Sequence, residues 1–187
     1  MLHFEPAFIN RHFMSLEHQT IALLLDDLYN DVEVWYPYYR LKEAGVNVFI
    51  AGKEKMTYSS KYGYPAAADI SLKNIKPSDI DGVIIPGGFC PDKLRTYPEV
   101  LKLVRAVDNK GGLVASICHG AWVVISAGLA KNRSMTCYSG IKDDVKNAGA
   151  LYEDKPVVVF DNLVTSRKPA DLPDFMTAIL RFLSKKS

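Results

Sequence analysis

Short, nearly pure apolar runs recur along the chain at strand length, and stretches with helical spacing separate them. Ile21–Leu25 comes first, followed by Val46–Ala51, then Asp81–Ile85 and Gly112–Ile117. A run without alternation suits a strand covered on both faces, which is the condition of a parallel sheet packed between helices. Between these runs Asp31 can cap a helix carrying Val32, Trp35, Tyr36 and Tyr39 that ends near Gly45. Pro37 lies inside that helix and is expected to kink it, because proline lacks a backbone donor.

A second helix is read from Tyr97, Val100, Leu101, Val104 and Val107, and a third over His119–Ala127. The clearest is the last, where Leu172, Phe175, Met176, Ile179, Leu180 and Leu183 form one stripe behind Asp171 as N-cap. A small β excursion is expected around Tyr58 and Tyr62. Pro156–Phe160 and Leu163–Ser166 read as a late hairpin about Asp161-Asn162. The fold class that follows is α/β, with a mainly parallel sheet in a three-layer sandwich.

Composition excludes several alternatives. The 187 residues fit one domain, with 48% hydrophobic and 24% charged residues. A net charge of +2 is too mild to imply nucleic acid as partner. No apolar run approaches the roughly 20 residues of a membrane span, and no secretory signal is read at the N-terminus, so a cytoplasmic protein is expected. Residues 1–19 hold three of the four histidines, His3, His12 and His18, without sustained periodicity. They read as an N-terminal extension, with Met14 as an alternative start, ahead of a single domain over 20–187. Three widely spaced cysteines, Cys90, Cys118 and Cys137, form no CxxC pair and suggest no disulfide framework. Neither a metal-ligand spacing nor a phosphate-binding glycine loop is present, so no metal and no cofactor is expected.

In an open α/β sheet, ligands bind beyond the carboxyl ends of the strands. Two segments there carry chemistry. In Ala115-Ser116-Ile117-Cys118-His119-Gly120 an apolar strand runs straight into a helix with Cys118 at the join. Ser116 and Gly120 supply the small residues that a tight nucleophile elbow needs two positions before and after. Such a sulfur faces a helix N-terminus, which favours thiolate. His119 is the one histidine after His18, so a Cys–His pair built from the main domain must use it. Cys90 and Cys137 lack this context and read as core or pocket-lining residues. The second segment, Pro86-Gly87-Gly88, ends a strand on two glycines, and an N–H near Gly88 could join that of His119 in an oxyanion hole.

With Asp31-Val32-Glu33, Tyr36-Pro37-Tyr38, Arg40-Leu41-Lys42-Glu43, Gly140-Ile141-Lys142-Asp143-Asp144, Ser166-Arg167 and Pro169-Ala170-Asp171, these segments resemble the PfpI-type intracellular cysteine proteases of the ThiJ/PfpI superfamily. The resemblance runs from about Thr20 to the C-terminus. It implies the flavodoxin-like, class I glutamine amidotransferase-like fold. Cys118 would be the nucleophile and His119 its partner, with Gly88 and His119 donating the oxyanion-hole amides and Tyr138 lining the pocket. It also implies a homo-oligomer, dimer or hexamer, in which a neighbouring subunit's carboxylate, here Asp92, completes the histidine.

The family sets a glutamate beside the cysteine at the start of the first helix. There the chain reads Leu28-Tyr29-Asn30-Asp31, so Asn30 is expected to fill that place. An asparagine can donate to a thiolate but cannot carry a proton. The leading expectation is therefore a cysteine peptidase or amidase acting on small peptides, amides or carbonyl adducts. A stress-response redox sensor or chaperone-like protein is the alternative, and a glyoxalase- or deglycase-like enzyme is weakened by Asn30.

Overall fold

The computed structural model describes residues 16–185. The elements in chain order begin with β1 (Thr20–Leu25), α1 (Asp31–Glu43) and β2 (Asn47–Gly52). A hairpin of β3 (Thr57–Ser59) and β4 (Pro65–Ala67) precedes β5 (Ile70–Ser71), β6 (Gly82–Ile85) and two helices, α2 (Cys90–Leu94) and α3 (Pro98–Asn109). Next come β7 (Leu113–Ile117), a 3-10 turn over Cys118–Gly120 and α4 (Ala121–Ser126). The remainder is β8 (Ser134–Met135), α5 (Lys142–Asn147), β9 (Leu151–Tyr152), β10 (Val157–Phe160), β11 (Leu163–Ser166) and α6 (Leu172–Ser184).

Seven strands form the central sheet in the order β10-β11-β7-β6-β1-β2-β5. Every pairing is parallel except the β10–β11 hairpin, whose turn holds Asp161 at a φ of 52°. The four longest apolar runs are its central strands, and β1, β6 and β7 are buried nearly end to end. That burial on both faces is why those runs show no alternation. The chain leaves β1 toward β2 on one side and later returns to β6 on the other. The order therefore reverses between β1 and β6, and a crevice opens there at the carboxyl ends.

The helix α1 runs unbroken through Pro37. Its N-cap is Asn30 rather than Asp31, and no side chain closes the cap. Asp171 does occupy the N-cap of α6, but its carboxylate is held by Arg167, at 2.9 and 3.2 Å, and not by the helix. α2, α5 and the short strands β5, β8 and β9 were not anticipated from periodicity, being too short to show any. Of the segment read as an N-terminal extension, residues 1–15, with Met14, lie outside the described residues. Leu16 is buried in the core, and Gln19 is buried beside it. The extension read over residues 1–19 therefore ends in residues packed on the domain. All three cysteines are free, and Cys90 and Cys137 sit in the core.

Candidate active site

Three strand ends build the site. Beyond β7, Cys118 occupies the elbow with a φ of 61°, the left-handed region that a non-glycine residue adopts only under constraint from its surroundings. The constraint is visible at Gly120, where a Cβ would lie 2.5 Å from the carbonyl oxygen of Ile85. The turn can press this closely against the end of β6 only because that position is bare. The sulfur is nearly buried and lies 3.2 Å from Nδ1 of His119.

Beyond β6, Gly88 has a φ of 81°, and a Cβ there would stand 2.4 Å from the Leu28 carbonyl oxygen. This glycine is bridged to Tyr29, in the loop that leaves β1. Its N–H and that of His119 both act on the Cys118 thiol and favour its ionised form. The two amides read from the sequence as an oxyanion hole thus converge on one atom.

Beyond β1, the structure corrects the expectation about the acid. The carboxyl beside the cysteine is Glu33, one turn into α1, and not the place filled by Asn30. Glu33 is fully buried, and its Oε2 accepts the Gly87 N–H at 2.7 Å. A Cβ on Gly87 would lie 2.6 Å from that oxygen, 2.6 Å from Cys118 Cβ and 3.0 Å from the sulfur, so carboxyl and thiol flank the same bare position. In a capping box the acid three residues into the helix turns back to the N-cap N–H. Here the Asn30 N–H donates instead to the Gly87 carbonyl at 3.2 Å, which frees Glu33 to bind Gly87 from the other side. Asn30 still lines the cavity in front of Cys118, but it has no part in replacing an acid.

Burial raises the Glu33 carboxyl to about 7, partly offset by the Gly87 N–H, the Cys118 thiol and the distant charge of Lys61. Its other oxygen, Oε1, is buried without a hydrogen-bond partner, which adds to the cost of charge on this carboxyl. The Cys118 thiol is pushed up to about 12, first by burial and then by negative charge on Glu33; the two backbone amides oppose this. The expectation of a thiolate favoured simply by a helix end is thereby revised. Above about pH 7 the pair holds one proton, which rests mainly on sulfur, and the sulfur carries negative charge in the minor state with that proton on Glu33. Burial, followed by Lys61, lowers the His119 imidazole and keeps it neutral.

In front of the sulfur lies a cavity of about 610 Å³, whose walls include Asn30, Lys61, Gly88, Phe89, His119 and Tyr138. The Tyr138 ring stacks on His119 at 4.9 Å, and Trp122 meets the imidazole edge-on at 5.0 Å. Asp92 is exposed on α2, and among the described residues no carboxylate of the same chain bonds the His119 ring. The site residues read from the sequence therefore assemble, except for Asp92. The residue missed is Glu33, whose signal was an acid three positions after an uncapped helix start in a strand–loop–helix unit.

The profile of the DJ-1/PfpI family matches residues 19–182. The chain belongs to that family. A deglycase of Pyrococcus horikoshii is 40% identical over 163 residues, spanning 87% of this chain and 98% of the relative. YraA of Bacillus subtilis, whose name provisionally makes it a cysteine protease, is 40% identical over 168 residues, covering 87% and 97%. Among solved structures, Drosophila melanogaster DJ-1beta superposes with a TM-score of 0.83 at 29% identity, covering 88% of this chain and 90% of that one. This DJ-1/PfpI domain thus has the doubly wound fold expected of it. Among its described residues no helix is long and apolar enough to cross a membrane.

Proposed function

We propose that this DJ-1/PfpI domain is a cysteine-dependent deglycase that releases amines or thiols from 2-oxoaldehyde adducts and yields a 2-hydroxy acid. The observation that carries this reading is Glu33, a buried carboxyl raised to about 7 beside the Cys118 sulfur. In a hemiaminal adduct the sulfur forms a C–S bond to the carbinol carbon as the C–N bond breaks, and the thiol proton passes through the His119 imidazole, 3.2 Å away, to the departing amine. Glu33, as the carboxylate, then takes the C–H proton from that carbon and returns it to the neighbouring carbonyl carbon, while the carbinol O–H proton moves to the neighbouring oxygen. The result is a 2-hydroxyacyl thioester on Cys118, with no net oxidation. Water hydrolyses it, so adduct plus water gives free amine plus 2-hydroxy acid. The Gly88 and His119 amides are placed to hold the thioester oxygen as it gains charge.

The deglycase reading reverses the order expected from Asn30. The test is release of hydroxy acid and amine from a methylglyoxal adduct of N-acetyl-arginine. Cys118→Ala is expected to abolish it and Glu33→Gln to reduce it by ~10²-fold or more, the range of a lost general base. Full turnover in either variant overturns the proposal.

Amide or peptide hydrolysis is the second reading, supported by the convergent amides and by the His119–Cys118 contact at 3.2 Å. It needs the thioester but no proton shift between carbons. Peptide cleavage that survives Glu33→Gln and is lost in Cys118→Ala would place this reading first.

A further inference from the structure

We propose that an aromatic groove beside the Cys118 cavity is a subsite for a cationic side chain, lysine or arginine, of a peptide-linked substrate. The groove, of about 310 Å³, is lined by Asp31, Val32, Trp35, Tyr36, Tyr39 and Tyr64. It shares Asp31 and Val32 with the cavity in front of Cys118, so one ligand can occupy both. This rests on reading that cavity as the substrate site.

The groove is built on fixed parts. Tyr39 stacks on Trp35 at 5.8 Å with 26° between planes, and Tyr64 meets Trp35 edge-on at 5.9 Å. The Tyr64 backbone is tied down from below, because the buried Tyr29 hydroxyl donates to its carbonyl at 2.6 Å and its N–H donates to Ser60 Oγ at 3.0 Å. Despite this bracing, Tyr39 and Tyr64 are 63% and 58% exposed, an unusual outlay of aromatic surface on a single protomer.

The lining selects for positive charge. Ring faces carry negative potential. Asp31 adds a carboxylate to the groove wall, and its Oδ2, shielded from water, has no hydrogen-bond donor to offset its charge. No basic residue lines the groove. An apolar ligand would cover the rings but leave Asp31 unanswered, and an anion would face both rings and carboxylate. An ammonium or guanidinium answers both. The same aromatic cluster already holds a cation at its margin, where Lys42 Nζ lies 4.8 Å over the Tyr38 ring.

Binding is measured by calorimetry on the full chain carrying Cys118→Ala, so that the outcome does not depend on turnover. The probes are N-acetylated tetrapeptide amides that differ at one position, lysine against norleucine and arginine against citrulline. The cationic member of each pair is expected to bind about fivefold to tenfold tighter at low salt. Tyr39→Ala should erase that preference, Tyr39→Phe should keep it, and Asp31→Asn should weaken it. Equal affinities within the pairs, or a preference that survives Tyr39→Ala, overturn the proposal. So does a result in which no peptide binds and Tyr39→Ala dissociates an assembly, since the groove would then be a contact between copies. The deglycase reading fails separately, on the turnover of adducts.

Discussion

At the residue scale, the site turns on one proton held between Glu33 and Cys118. In the folded protein the carboxyl is raised to about 7 from an ordinary value of 4.5. Reactivity and stability should therefore respond to pH in linked ways. The rate at which iodoacetamide alkylates Cys118 should rise as pH passes through about 7, because the first proton then leaves the pair and the remaining one is shared with sulfur. In Glu33→Gln that inflection should vanish. The thiol should then titrate as a single group below its wild-type value of about 12, since the neighbouring negative charge is gone. An inflection near 7 persisting in the variant would assign it to another group.

The stability consequence follows from the same shift. Between pH 4.5 and 7 the folded state binds the Glu33 proton and the unfolded state does not, so stability falls as pH rises through that window. The penalty is complete above pH 7 and amounts to about 3 kcal/mol from a shift of this size. Glu33→Gln should unfold at higher denaturant concentration than wild type at pH 8, and the gain should shrink by pH 5. A destabilising carboxyl kept beside the cysteine is what the proposed proton transfer requires. A variant no more stable at pH 8 than at pH 5, relative to wild type, would remove that argument.

At the scale of elements, the elbow explains what could be read in advance and what could not. Cys118, His119 and Gly88 were legible because strand-to-helix and strand-to-glycine junctions impose local rules: small flanks, positive φ, free amides. Gly88 satisfies the strictest, and Gly88→Ala meets both a disfavoured φ of 81° and the Leu28 carbonyl at 2.4 Å. It is expected to cost about 2–4 kcal/mol of stability, in the upper range for backbone strain with a steric clash, and to abolish turnover by displacing an amide from sulfur. Chemical denaturation and adduct turnover check both, and a near-neutral change in either would mean that the loop yields.

Glu33 was missed for a different reason. Its role depends on α1 packing its first turn over the ends of β6 and β7, a tertiary relation. Carrying the family's acid over to the start of α1 put its place at Asn30, which is in fact the N-cap. The strands themselves were plain, since burial on both faces leaves an unbroken apolar run. α2 and α5, of five and six residues, span too few turns to print a stripe.

At the scale of the whole molecule, the imidazole of His119 poses a question that a single chain does not answer. Its Nδ1 faces sulfur, its ring stacks on Tyr138 and meets Trp122 edge-on, and among the described residues no carboxylate of its own chain orients it. Phe89 stands exposed in the cavity wall and Asp92 is exposed three residues further on, a segment from which a second copy could present its own Asp92 to this histidine. We propose that the working site is shared between subunits. Asp92→Ala should then be as folded as wild type but poorly active, and Cys118→Ala inactive. Dissociated, mixed one to one and reassembled, the two should recover activity: random pairing gives about a quarter of the sites an intact cysteine from one chain and an intact Asp92 from the other. The recovery should require assembly, visible as a sedimenting oligomer at micromolar concentration. Mixing that restores nothing, while each variant still assembles, would confine the catalytic groups to one chain and leave His119 to be oriented by its aromatic neighbours alone.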